Sequence, residues 1–180
     1  MTNNHAILDF WFVECTPKMW FKKSEEFDDL IKDKFMKTIE AHLKTNIKYF
    51  VVSRETYISS ILVLDQFTRN VFRNSAKAYQ GDEKAKQLCK IAIEKRFFQE
   101  NEYYKNSFML MPLMHSESLD DQEFSLPYFK KYTNPKTYEY ALKHKDVIKK
   151  FGRFPHRNKI LDRNSTQSEL EFLNLPGSRF

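Results

Sequence analysis

Three glycines in 180 residues leave little material for tight β-hairpins, whose favoured turns need residues at positive φ. Helices joined by short loops suit that composition better. Two cysteines, Cys15 and Cys89, lack CxxC or zinc-finger spacing, so both read as free thiols in a reducing cytoplasm. No run of about 18 apolar residues occurs, which excludes a membrane span. The start, Met1-Thr2-Asn3-Asn4-His5, has no basic n-region, and Asp9 interrupts the apolar stretch behind it. No secretory leader is therefore expected. Linkers, low-complexity tracts and repeats of fixed period are also missing, so residues 1–180 read as one domain.

Aromatic residues are plentiful: 17 Phe, 9 Tyr and 2 Trp make up 16% of the chain. With 41% hydrophobic and 30% charged residues, the chain can bury a real core and keep a solvated surface. The formal charge of +6 invites a nucleic-acid reading, but lysines such as Lys32, Lys37, Lys86, Lys90 and Lys143 are scattered opposite the apolar stripes. Without a clustered basic face or a recognised module, nucleic acid is not the expected partner.

Helical periodicity runs almost throughout. Asn3 or Asn4 caps a first short helix carrying Ile7, Leu8, Phe10, Trp11 and Phe12, nearly all apolar and so expected to be buried, with Pro17 in the turn behind it. Ser24 and an acidic first turn open a helix over about residues 24–44, with Phe27, Leu30, Ile31, Phe35, Thr38, Ile39 and His42 at steps of 3 and 4. A third helix runs from Ser53 through Tyr57, Ile58, Ile61 and Leu62. After a break near Gly81, Asp82 is expected to cap a fourth with Ala85, Leu88, Cys89 and Ala92 on its stripe. A fifth, about residues 101–111, should end or kink at Pro112. Ser118 starts a sixth, disturbed by Pro127. Asn134-Pro135 opens a seventh, with stripe Tyr138, Ala141, Leu142, Lys145 and Ile148 and its end at Gly152. Thr166-x-x-Glu169 is a capping box for a last helix with Leu170 and Leu173.

Three runs depart from this pattern: Leu64-Asp65-Gln66-Phe67-Thr68-Arg69-Asn70, Met111-Pro112-Leu113-Met114-His115-Ser116-Glu117 and Phe151-Gly152-Arg153-Phe154-Pro155-His156-Arg157-Asn158. Asp65 continues the Ile58–Ile61 stripe and Arg69 lies one turn on. An aspartate on an apolar face needs a partner, and Arg69 at i+4 supplies one. His115 extends the Phe108–Met111 stripe if the helix passes Pro112, and Ser116, Glu117 and Gln122 follow. In the third run, Gly152 and Pro155 stiffen a turn presenting Arg153, His156, Arg157 and Asn158. Arginines suit carboxylate or phosphate, histidine moves protons near neutral pH, and asparagine orients a carbonyl or amide. His115-x-Glu117 offers two metal ligands with only a distant third in His156, so neither metal nor cofactor is expected.

These runs, with Ile7-Leu8-Asp9-Phe10-Trp11-Phe12, occur in an order and at distances that resemble the bacterial domain-of-unknown-function 924 family over nearly the whole chain. The resemblance implies an all-α, single-domain array of about 7–9 helices in antiparallel, tetratricopeptide-like hairpins, and no established activity. It carries the family's polar positions to Asp65, Gln66, Arg69, Asn70, His115, Ser116, Glu117, Gln122, Arg153, His156, Arg157 and Asn158. Thr68 stands where the family usually has proline, and Asp162 where it usually has glycine.

Two functional expectations follow. In one, these groups form a pocket for a small anionic ligand, with His115 or His156 as acid or base beside Asp65 or Glu117, and Gln66, Arg69, Asn70, Ser116, Gln122, Arg153, Arg157 and Asn158 binding. In the other, the array is a scaffold for a protein partner and the polar runs brace it.

Overall fold

The computed structural model describes residues 4–178, and among them it is all-α. Helix α1 (Asn4–Asp9) continues into one π-helical turn, Phe10–Glu14, and together they bury Ile7, Phe10 and Trp11. Asn3, one of the two candidate caps, lies outside the described residues. Pro17 does more than mark a turn: it is the first residue of a short helix, α2 (Pro17–Phe21). Proline's preset φ fits that position, and the donor it lacks would be unpaired there anyway.

Helix α3 (Glu25–Lys44) starts at Ser24, whose side chain accepts the Phe27 N–H at 3.2 Å, and buries Phe27, Ile31, Phe35, Thr38 and Ile39 of the expected stripe, whereas Leu30 at its edge is exposed and His42 half-buried. From its Ser53 cap, α4 (Arg54–Ile61) widens into a π segment, Leu62–Phe67, and resumes as α5 (Thr68–Val71). All of Leu62–Asp65 and Phe67 is buried. α3 packs against the π segment and α5, and α1 against α4.

Gly81 occupies the cap position of α6 (Asp82–Glu94), so Asp82 is the first helical residue and not the cap. A Cβ on Gly81 would lie 2.1 Å from the Leu64 carbonyl oxygen, and only glycine allows that approach. The same carbonyl accepts the Thr68 hydroxyl at 2.8 Å. Ala85, Leu88, Cys89 and Ala92 are fully buried, and both cysteines are free thiols.

Two prolines that promise breaks do not break their helices. α7 (Tyr103–Met114) passes through Pro112, and α8 (Leu119–Tyr132) through Pro127. Pro112 removes one helical bond, at a cost of about 3 kcal/mol. It sits within a stretch buried from Asn106 to Met114, in a helix packed by α4, α6, α8 and α9. Pro127 is exposed, where water can serve the carbonyl it leaves unpaired.

Helix α9 (Pro135–Phe151) runs from the Asn134 cap to Gly152 at φ +67°. Its fully buried face is Ala141, His144, Val147 and Ile148, with Tyr138, Leu142 and Lys145 half-buried. The capping box of α10 (Gln167–Leu173) is present. Leu170 is exposed, however, and the residue α10 buries is Glu169. One large core includes Phe10, Trp11, Tyr57, Phe67, Phe108 and Phe129. A smaller one, Val147, Ile148 and Phe154, joins α9 to the turn after Gly152, with Leu119, Phe151 and Phe172 against it.

Candidate functional site

The π segment places the Asp65 side chain in the core with no solvent exposure. Its Oδ1 accepts a hydrogen bond from Nδ1 of His115 at 2.8 Å, the Arg69 guanidinium lies 3.0 Å from the same oxygen, and the Gln66 amide donates to Oδ2 at 2.5 Å. Burial alone would push this carboxyl up, but Arg69, His115 and Gln66 outweigh it and hold Asp65 well below the usual carboxylate range. An ionised Asp65 fixes the His115 tautomer with its proton on Nδ1, which leaves Nε2 as the basic nitrogen. His115 itself is lowered by burial and by the charges of Arg69 and Arg157, against the pull of Asp65. The imidazole is therefore neutral at pH 7, and the side chain stays 18% exposed.

Helix α7 delivers His115 because it does not stop at Pro112: its last turn ends with the His115 N–H bonded to the Met111 carbonyl at 2.8 Å. Arg157 arrives from the turn after α9. Its guanidinium is stacked on the rings of Phe154 and Tyr79, at 4.5 and 4.8 Å, and donates to the His115 carbonyl at 3.0 Å. Arg69 sits over the same tyrosine at 5.6 Å.

The two arginines are not equally paired. Arg69 grips both oxygens of Asp82 at 2.8 and 2.9 Å and donates to the Asp65 carbonyl at 2.7 Å. Arg157 comes no closer than 3.8 Å to Asp82, and its Nε is buried without a hydrogen-bond partner among the described residues. Burial and the nearby Arg69 lower its pKa. Arg157 is thus a buried cation with incomplete counter-charge.

Two further imidazoles flank this group. His144 and His156 each pack within 5.6 Å of the Phe154 ring, and His144 lies 6.2 Å from the His115 ring. Burial, then His115, pulls His144 down to about 3, and burial, then Arg157, pulls His156 down to about 4. Tyr79, Asp82, His144 and Phe154 are not among the candidate site residues of the sequence, although Phe154 lies within the third polar run and Asp82 at the expected start of a helix. His144 had a legible signal, since it lies three residues after Ala141 and four before Ile148 on the buried face of α9. Tyr79 had none, because the turn between α5 and α6 carries no periodicity, and Asp82 is legible only as the opening of α6.

The structure brings Asp65, Gln66, Arg69, His115, His156 and Arg157 together and assigns the other expected pocket residues to separate bonded groups. Asn70 shares Asp28 with Arg73. Ser116 donates to Asp121, and the Gln122 amide donates to the Met114 and Ser116 carbonyls. Glu117 accepts from Arg163 and from the Phe154 N–H at 2.8 Å, ties that outweigh burial and lower its pKa. Arg153 and Asn158 both bind Glu169, whose pKa falls to about 2, chiefly through Arg153. Surface clefts of about 420 and 320 Å³ lie beside Arg153 and Glu169 and beside Asp121 and Phe124 respectively. Neither is lined by Asp65 or His115.

Comparison with known proteins fits this architecture. No curated protein matches the chain. A solved structure from Agrobacterium tumefaciens, described as a protein of unknown function, is similar with a TM-score of 0.88 and 30% sequence identity, over 95% of this chain and 96% of that one. The family model described as "Bacterial protein of unknown function (DUF924)" matches residues 7–177. The match spans the π segment, His115 and the turn that carries Arg157, and the chain belongs to that bacterial family.

Proposed function

We propose that Asp65, His115 and Arg157 form a binding site for a small carboxylate or phosphate, in which His115 serves as the proton acceptor. The observation that carries this reading is Arg157, a residue 6% exposed, its guanidinium stacked on two rings, with no carboxylate of the described residues closer than 3.8 Å. Burying a cation without full pairing costs several kcal/mol, and the ring contacts return only about 2 kcal/mol or somewhat more. An anion at the guanidinium edge supplies the missing charge. Beside it, the Asp65–His115 pair has the arrangement in which a carboxylate orients an imidazole so that its second nitrogen takes a proton. Asp65 and Asp82 already bring negative charge, so a singly charged carboxylate suits the site better than a phosphate dianion.

The test is calorimetric titration of the protein with acetate and with inorganic phosphate, repeated on Arg157→Met, with circular dichroism to show that the variant folds. Saturable binding that the variant loses supports the reading. If neither anion binds the folded wild type, the reading fails.

A further inference from the structure

Away from that site, α2 carries an aromatic surface that the core uses only in part: Trp20 packs half-buried against Trp11 and Phe108, and Phe21 beside it stays exposed. Phe21 is 66% exposed and Val13 77%. Trp20 stacks edge-on to Phe21 at 6.2 Å and to Tyr104 at 5.1 Å, and Phe21 lies over Phe108 at 6.3 Å. Trp20, Phe21 and Tyr104 thus form one aromatic surface seated on Phe108 of α7. Lys18, Lys22 and Lys23 are exposed on the same helix and the turn that leaves it, and none is within salt-bridge distance of a carboxylate among the described residues. On the Val13 side the charge reverses, because the exposed Glu14 pairs with Lys34 at 2.9 Å.

We infer that this face docks an acidic segment of another protein, one that sets an apolar side chain on Phe21 and Trp20 and its carboxylates against Lys18, Lys22 and Lys23. Large exposed apolar groups beside charge that no salt bridge holds are a common feature of protein interaction sites. Lys22 also faces the exposed Glu26, and its positive charge together with that of Lys18 and Lys23 favours an acidic partner. A lipid surface fits poorly. Glu14 next to Val13 would meet anionic headgroups of its own sign, whereas a peptide can place its charges at one end only. The surface is independent of Asp65, His115 and Arg157, so it stands or falls apart from the anion site.

The test is selection from a phage-displayed random peptide library on the full chain, followed by affinity measurement of synthetic winners through Trp20 fluorescence. Phe21→Ser and the double variant Lys22→Glu, Lys23→Glu change exposed residues, and circular dichroism of each checks that it folds. The winners are expected to combine Asp or Glu with an aromatic or large aliphatic residue. They should bind about tenfold more weakly to Phe21→Ser, lose binding to the double variant and weaken as salt is raised. Basic winners, no winners, or winners that bind both variants as well as the wild type overturn the inference. So does binding to phosphatidylglycerol vesicles with the same dependence on Phe21, or self-association in sedimentation velocity that Phe21→Ser abolishes.

Discussion

Nδ1 of His115 lies 2.8 Å from Oδ1 of Asp65, across 50 residues of sequence, and this contact joins the last turn of α7 to the π segment that follows α4. Together with the Gln66 amide, which donates to Sδ of Met111 at 3.6 Å, it adds a polar tie to the apolar packing and holds the two elements in one relative register. The contact also sets the chemistry of the site, since an ionised Asp65 determines which nitrogen of His115 carries the proton.

Removing that carboxylate should be among the most damaging single changes in the chain. Asp65→Ala removes the buried acceptor shared by Arg69, His115 and Gln66, leaves Arg69 with Asp82 as its one carboxylate among the described residues, and frees His115 to change tautomer. A loss of about 3–5 kcal/mol is expected, as for other broken buried pairs. Urea denaturation followed by circular dichroism measures it, and a loss below about 1 kcal/mol would show that Asp65 is dispensable to the fold.

The close approach of α6 to the π segment makes a second prediction. Gly81→Ala sets a Cβ against the Leu64 carbonyl, and overpacking of this kind costs about 1–3 kcal/mol. The same denaturation experiment reads it. A neutral result would mean that α6 can shift outward freely.

Backbone conformation makes a third. Asp162 sits at φ +52°, a region that aspartate tolerates and glycine adopts without strain. The resemblance to the family had pointed to glycine at this position, and the dihedral gives the reason. Asp162→Gly should leave stability unchanged or raise it by about 0.5–1 kcal/mol, whereas Gly152→Ala, at φ +67°, should lower it by about 1 kcal/mol. Paired thermal melts check both signs.

Acid should loosen the turn that carries Arg157. In the folded protein His156 and His144 are held down to about 4 and about 3, against about 6.5 in an unfolded chain. The unfolded state therefore binds more protons as pH falls below about 6.5, and stability drops progressively toward pH 4. Both histidines contribute full stability above that window. A loss of roughly 3 kcal/mol or more is expected between pH 7 and pH 4, smaller in His156→Gln. Urea midpoints at each pH measure it, and a flat profile in the wild type would contradict the burial of these rings.

Much of the fold is legible in the sequence where one rule acts alone. Ser24, Ser53, Ser118, Asn134 and Thr166 each cap the helix that their position announces, because a cap is a local hydrogen bond. Pro112 and Pro127 mislead because tertiary packing and solvent offset a local cost that sequence reasoning counts in full. The candidate site is legible in part. Asp65, Arg69 and His115 stand on apolar stripes and so announce that they are buried and paired. Asn70, Ser116, Gln122, Arg153 and Asn158 have the same chemistry but turn to partners such as Asp28, Asp121 and Glu169, which no periodicity links to them. Asp82 reads as a cap from its position, and only the folded turn shows it gripping Arg69.

The protonation and environment of His115 decide most directly whether Asp65, His115 and Arg157 bind an anion. Nitrogen-15 spectra of the imidazole, recorded while acetate is titrated into the protein at pH 7, test it. The account predicts a neutral ring with its proton on Nδ1, and a saturable shift of Nε2 with acetate that Arg157→Met abolishes. A proton on Nε2, or an acetate response that is absent or unchanged in Arg157→Met, would contradict it.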